Sequence, residues 1–416
     1  MRQGKKAIRL KETITVNGKA WVQESDFLFC LVLFMLFSFS VFYLFLDQAR
    51  GFYRSDLSVH LSNAITTGGY SINNLFLKLF YSVAGAVGVA TYLTLIVQGT
   101  VFCAGIWLKQ QVNEEDKENS FQWSKALLIS CAMCFLGGIY VPNVLPIFYL
   151  TPDYTGPGSA FSICMQPWHN PTYLLMRLFG ILTLFLFYHI RSKYLTEGIT
   201  MKEWLLFTAA LTLTNAAKPN FIIAFAPAML IVLLKDFIKT RGKSFLRAFV
   251  FGSAALCSAP VLFAQKRMLF DADNIKGTVE RGVALSSGPF EKLLQDGYLQ
   301  PILVTGCVFF VFVTIAAFVD HKKDEEILFG WLMLVISLGE ALFIIETGPR
   351  GVAGNFGWGV PFCAYALAVP CMKRVVLLRE RLQKSTYCLL LTPLILMLFT
   401  GAAYFAHLLG GGDFIA

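Results

Sequence analysis

Charge is what this chain has least of. Asp, Glu, Lys and Arg make up 15% of its 416 residues, where an ordinary soluble domain carries about 25%. A surface that meets water on every side cannot be built from so few, so a conventional soluble fold is excluded. The hydrophobic fraction of 56%, the 39 Phe residues and a mean hydropathy of +0.61 describe a polytopic membrane protein instead. No repeat at a fixed period and no low-complexity tract are present, which leaves an inverted-repeat transporter without support. A polar, basic tail from Met1 to Gln23 precedes an apolar run with no small-residue cleavage site after it, so no cleavable signal peptide is expected. The ten cysteines do not read as a disulfide framework, because nine lie in or at the edge of apolar runs and Cys164 alone falls in an outer loop. Cys131-x-x-Cys134 has redox or metal spacing, yet it stands mid-span with neither a second pair nor a His beside it.

Eleven apolar segments approach spanning length, with cores at 27–46, 80–108, 126–150, 172–190, 204–217, 221–234, 248–264, 302–319, 327–345, 358–372 and 387–408. The fifth, sixth and tenth are short for a core about 30 Å thick and must be tilted, re-entrant or longer than these limits. With the N-terminus inside, 24 of the 35 Lys and Arg residues fall on the inner side and 10 on the outer, Arg177 lying within a span. By the positive-inside rule the C-terminus is then outside. The net charge of +9 reports this topology and contact with anionic lipid heads, and gives no reason to invoke nucleic acid. The expected fold class is therefore all-α, a polytopic transmembrane helix bundle of about 11 spans. Residues 1–26 form a cytoplasmic basic tail, and 27–416 form a single transmembrane domain. Its outer loops are 47–79, 151–171, 265–301 and 346–357. The largest inner loop, 109–125, carries Glu114, Glu115 and Asp116 and reads as a solvated connector.

Polar residues that need a reason concentrate on the outer side. The run Tyr53-Arg54-Ser55-Asp56-Leu57-Ser58-Val59-His60 follows the first span directly. A helix over 55–67 places Asp56, His60, Asn63 and Thr67 on one face and Leu57, Leu61, Ala64 and Ile65 on the other, as for a helix lying in the interface. A plain alternative is that Asp56 only complements the helix dipole. In Trp168-His169-Asn170-Pro171, Asn170 is placed to cap a helix that begins at Pro171. Arg177 then lies about 9 Å deep at 1.5 Å per residue, where it must snorkel or meet an anion. Lys218-Pro219-Asn220 forms an outer turn whose lysine reaches head-group level, to bind phosphate or to snorkel. Glu346 and Arg350 flank the start of a run with five glycines from Gly348 to Gly359, interrupted by Asn355, that lets backbone approach a ligand. Glu340 is expected to pair with Arg177 or Lys218. Asp271, Asp273, Lys276, Glu280 and Arg281 suit a solvated lid more than a metal site.

Taken together, these residues carry a resemblance. An acid on an interfacial helix after the first span, with cations at later outer helix ends, resembles the GT-C superfamily of polytopic glycosyltransferases. Asp56-Leu57-Ser58-Val59-His60 looks like the Asp-x-x-x-His form of bacterial members, and Lys218-Pro219-Asn220-Phe221 looks like their Lys-Pro-Ser/Asn-Phe helix start. The chain departs from the family in having no Asp-x-Asp in the first outer loop, which counts against metal dependence, and no soluble C-terminal domain. The resemblance implies a GT-C-like bundle in a bacterial cell membrane and a sugar transfer from a polyprenyl-(di)phosphate donor to a sugar, lipid or polymer acceptor of the envelope. It makes Asp56 the general base and His60 its orienting or acceptor-binding neighbour. Arg177, Lys218 and Arg350 would hold the lipid phosphate, an apolar groove would take the polyprenyl tail, and the transfer would invert the anomeric centre. Arg54, His169, Asn170, Glu346 and Asn355 are further candidate substrate contacts, with no metal or cofactor required. Three rival classes are a lipid-linked polysaccharide polymerase or ligase, a secondary transporter or flippase, and a structural membrane subunit. The first would rely on Arg and His in large outer loops, and the second would place its ionisable residues near the midplane.

Overall fold

A computed structural model describes residues 27–52, 55–66, 69–116, 121–137, 167–268, 282–295, 297, 299–320, 324–347 and 355–412. The described chain is all-α apart from one short ribbon. The helices are α1 (Phe27–Arg50), α2 (Asp56–Thr66), α3 (Ile72–Glu115), α4 (Trp123–Met133), α5 (Pro171–Arg191), α6 (Met201–Ala217), α7 (Asn220–Lys239), α8 (Phe245–Lys266), α9 (Gly288–Gln295), α10 (Leu299–Val319), α11 (Glu325–Phe343), α12 (Gly359–Leu378) and α13 (Lys384–Leu409). Strands β1 (Val283–Leu285) and β2 (Ile344–Glu346) pair antiparallel with Val283 opposite Glu346.

Each of the eleven apolar segments carries a helix, and among the described residues eight helices are long and apolar enough to cross a membrane. That makes the chain a multi-pass membrane protein. Eight candidate spans among the described residues stand beside eleven expected; α4 and α6 are 11 and 17 residues long, and only Gly306–Val319 of α10 could be weighed as a span. Most of the third expected span, beyond residue 137, lies outside the described residues.

Local chemistry sets the helix boundaries. Asn170 caps α5 with Pro171 in its first turn. Thr200 and Glu203 form a reciprocal capping box on α6, and Asp324 accepts from the amides of Glu326 and Ile327 to start α11. Central in the bundle is α12, whose most apolar stretch is 94% buried, whereas that of the peripheral α8 is 17% buried. Phe362 of α12 reaches α5 at Gly180, where a Cβ would collide with its ring. Phe187 of α5 packs there with Phe225, Phe251 and Phe329 from three further helices.

The second expected span, 80–108, is corrected in shape. α3 runs 44 residues and folds back on itself at Ala84 and Gly85, where Gly85 takes φ 57°. Phe80 stacks on Tyr92 at 5.0 Å, and the Tyr92 hydroxyl donates to Asn73 Oδ1 at 3.0 Å, so the limb from Ile72 to Val83 lies along the start of the limb that follows. Gly88 permits the tight bend, since a Cβ there would strike the Phe80 carbonyl.

At the helix ends remote from Asn170, a buried charge cluster ties three helices together. Arg374 Nε and Lys373 Nζ of α12 donate to Asp324 Oδ2 at 2.8 and 2.9 Å, Lys373 also meets Glu326 at 3.1 Å, and Arg374 reaches Glu115 at the end of α3. Paired charges buried in this way tolerate the loss of a partner poorly.

Candidate functional site

The N-cap of α5 organises the candidate site. Asn170 Oδ1 accepts from the amides of Thr172 and Tyr173, both at 3.0 Å, and from the Thr172 hydroxyl at 2.6 Å. Its Nδ2 then points away from the helix and donates to Asp56 Oδ2 at 2.7 Å. His169 Nε2 lies 3.2 Å from the same oxygen. Asp56 opens α2, whose Leu57, Leu61 and Ala64 are buried and so press this short helix onto the bundle. Ile65, expected on the buried face, is 43% exposed because the packed stripe is narrower than the apolar one. The Asp56 side chain is 29% exposed, and its Oδ1 has no hydrogen-bond partner among the described residues.

A cation and an aromatic wall stand beside the acid. Lys218, the C-cap of α6, is buried, with Nζ 3.3 Å from Thr172 Oγ1 and 4.7 Å above the Trp358 ring. His169 also stacks on Trp358, at 6.0 Å and 14°. His60, one turn along α2 from Asp56, meets the Asn74 side chain.

Both imidazoles titrate far below their ordinary value of 6.5. Burial pushes His169 down to about 4; Asp56 opposes the shift, while Lys218 and His60 add to it. Burial and then Lys218 likewise lower His60 to about 4, against Asp56 and the Asn74 hydrogen bond. At neutral pH both are uncharged. Among the described residues no group of three or more His, Cys, Asp or Glu side chains is arranged to hold a metal ion.

The structure therefore brings Asp56, His60, His169, Asn170 and Lys218 together. Arg177 sits one aromatic layer away. Its guanidinium lies 3.7 Å over Tyr365 and 5.8 Å from Tyr173, which in turn packs on Trp358 at 5.5 Å. Glu346 and Asn355 form a second group: Asn220 Nδ2 donates to the Asn355 carbonyl and Asn355 Nδ2 to Glu346 Oε2, each at 2.7 Å. Arg54 and Arg350 lie outside the described residues, as does Thr67.

The expected pairing of Glu340 with Arg177 or Lys218 is corrected. Glu340 is buried against the start of α12, 3.8 Å from where a Gly359 Cβ would be, and its Oε2 has no hydrogen-bond partner. Depth along a helix does not fix its rotation, and α11 turns Glu340 toward Gly359. Trp358, Thr172 and Asn74 belong to the site but were not anticipated. An Asn73-Asn74 pair opening an apolar helix and a Trp among glycines were the signals available. No protein-family model, curated protein or solved structure matches this chain.

Proposed function

We propose that the chain is an integral-membrane glycosyltransferase of GT-C-like, eleven-span architecture, with its N-terminus inside and C-terminus outside. It moves a sugar from a polyprenyl-linked donor to a cell-envelope acceptor at the outer face of the membrane. The observation that carries this reading is the half-open Asp56 carboxylate, held by Asn170 through one oxygen and offering the other beside a buried lysine. A carboxylate fixed in this way suits a general base, because its geometry is set before an acceptor hydroxyl arrives. Lys218 is the cation assigned to the lipid phosphate in this reading, and charge that grows on the leaving phosphate as the glycosidic bond breaks is stabilised by such a cation. Two neutral histidines keep the acid from being neutralised by a competing imidazolium. One base with no second carboxylate beside it in the described cluster fits inversion at the anomeric carbon.

The test is transfer from radiolabelled polyprenyl-linked sugars by purified protein, with donor binding measured in parallel. Asp56→Asn keeps the size of the side chain but turns an amide N–H₂ outward, since its oxygen must face Asn170. Turnover should then fall about 10²–10⁴-fold, the usual contribution of a general base, with donor affinity unchanged. Transfer near the wild-type rate would remove Asp56 from the mechanism. If the unmodified protein moves no sugar from any polyprenyl donor, the transporter or flippase reading replaces this one.

A further inference from the structure

Thr172 sits at the junction between the cation and the acid of the candidate site. It is the second residue of α5 and fully buried, and burying a hydroxyl is costly unless its hydrogen-bonding capacity is used. Here it is used in both senses. Asn170 Oδ1 only accepts, so the hydroxyl donates its one proton there, at 2.6 Å. A lysine ammonium only donates, so Lys218 Nζ gives to Thr172 Oγ1, at 3.3 Å. Asn170 Nδ2 in turn donates to Asp56 Oδ2 at 2.7 Å. Every donor in this chain points the same way, from the end of α6 through the start of α5 to the acid that opens α2.

The start of α5 does not need this hydroxyl. The amides of Thr172 and Tyr173 already meet Asn170 Oδ1 at 3.0 Å, which uses both lone pairs of that oxygen and completes the cap. A third donor on the same atom adds little to the helix. Its effect is to tie Asn170 to Lys218, two residues of different helices. Thr172, Asn170 and Lys218 are all buried, so successive contacts polarise one another and are stronger than they would be at a surface.

We propose that Thr172 is the positioning residue of the site. Its hydroxyl holds the Lys218 ammonium in place for an anionic head and fixes the Asn170 amide that aims Asp56, so that donor binding and base share one alignment. The identity of that head, a lipid phosphate, rests on the glycosyltransferase reading.

The experiment compares Thr172→Val, which keeps the shape but loses the hydroxyl, with Thr172→Ser, which keeps the hydroxyl, in the full chain in nanodiscs. Equilibrium binding of a polyprenyl phosphate without sugar and turnover at saturating sugar donor are both read per folded molecule. Thr172→Val should bind the phosphate about tenfold more weakly, because a hydrogen bond to a charged group is lost. It should also turn over about tenfold more slowly, because Asp56 is no longer aimed. Thr172→Ser should recover most of both. A purely structural part for Thr172 would lower the folded fraction and leave both quantities alone, so wild-type affinity or wild-type turnover in folded Thr172→Val would overturn the proposal. If the unmodified protein binds no polyprenyl phosphate, the functional reading falls, and unfolding decides whether the tie exists. Thr172→Val and Lys218→Met together should then raise the unfolding constant about threefold less, or lower still, than the product of their separate effects. Additive costs would overturn the tie between the two residues.

Discussion

Acid sensitivity offers a direct probe of the cluster around Asp56. His169 is 6% exposed, stacked on Trp358 and held neutral, with its pKa pushed from 6.5 to about 4 chiefly by burial. In the unfolded chain the same imidazole titrates at about 6.5. Between those two values the unfolded state binds more protons, so stability must fall as pH drops through the window from 6.5 to 4 and must be fully present above 6.5. Taking pH 7.5 and pH 5 as endpoints, the linkage integral for a shift of this size is about 2 kcal/mol from this one side chain. His169→Gln abolishes the titration yet keeps an amide able to reach Asp56. Unfolding free energies of wild type and variant in mixed micelles, measured by denaturant titration at both pH values, give the comparison. The wild type should lose about 2 kcal/mol more than His169→Gln on acidification. Equal losses would refute the reasoning. So would a His169 titration midpoint at or above 6.5 in a nitrogen-labelled sample, a measurement made tractable by there being only five histidines in the chain.

Other outcomes follow from individual contacts. Lys218→Met should weaken binding of a polyprenyl-phosphate donor by about 1.5–3 kcal/mol through loss of a charge-assisted contact, measured by equilibrium binding in nanodiscs; unchanged affinity would separate Lys218 from the phosphate. Asn170→Ala should cost about 1–2 kcal/mol through the lost N-cap and lower turnover as well, while Asn170→Ser should recover stability and leave turnover low. Lys373→Met takes a cation from the buried Asp324 and Glu326 and should destabilise the fold by about 3–5 kcal/mol. It should leave donor affinity unaltered, because Lys373 is near the end of α12 remote from Trp358.

How much of this could be read from sequence depended on whether a feature was local. The α5 start at Asn170-Pro171 and the break at Lys218-Pro219 are governed by capping and by the fixed proline ring, and both fall where the chain itself indicates. Asp56 and His60 share a helix face for the same local reason. The fold-back of α3 was not legible. An uninterrupted apolar run looks the same whether it crosses once or doubles back, and the bend needs only the positive φ of Gly85 in a segment rich in small residues. The neighbours of Arg177 were not legible either, because helical depth fixes how far down a side chain lies but not which neighbours surround it. Its partners Tyr173 and Tyr365 come from two helices, and only packing brings them together. Helix length was not legible either, since hydropathy measures apolar length and cannot tell that α4 and α6 are short as helices.

The double task of Asn170 narrows what chemistry can occupy that position. Its oxygen starts a helix while its nitrogen steers a carboxylate. Aspartate would cap as well but would set a second negative charge against Asp56. Serine and threonine cap, yet their short hydroxyl must donate from the same atom that accepts and is too short to reach the carboxylate that the Asn170 Nδ2 meets. Glutamine carries the amide on a longer stem that does not reach back to its own following amides. Histidine lacks the geometry for both at once. A side chain with an acceptor and a donor on one planar group, a single carbon from the backbone, is required, and among the twenty residues only asparagine has it. In a saturation library at position 170, variants that retain stability and those that retain turnover should therefore form two sets that meet only at asparagine.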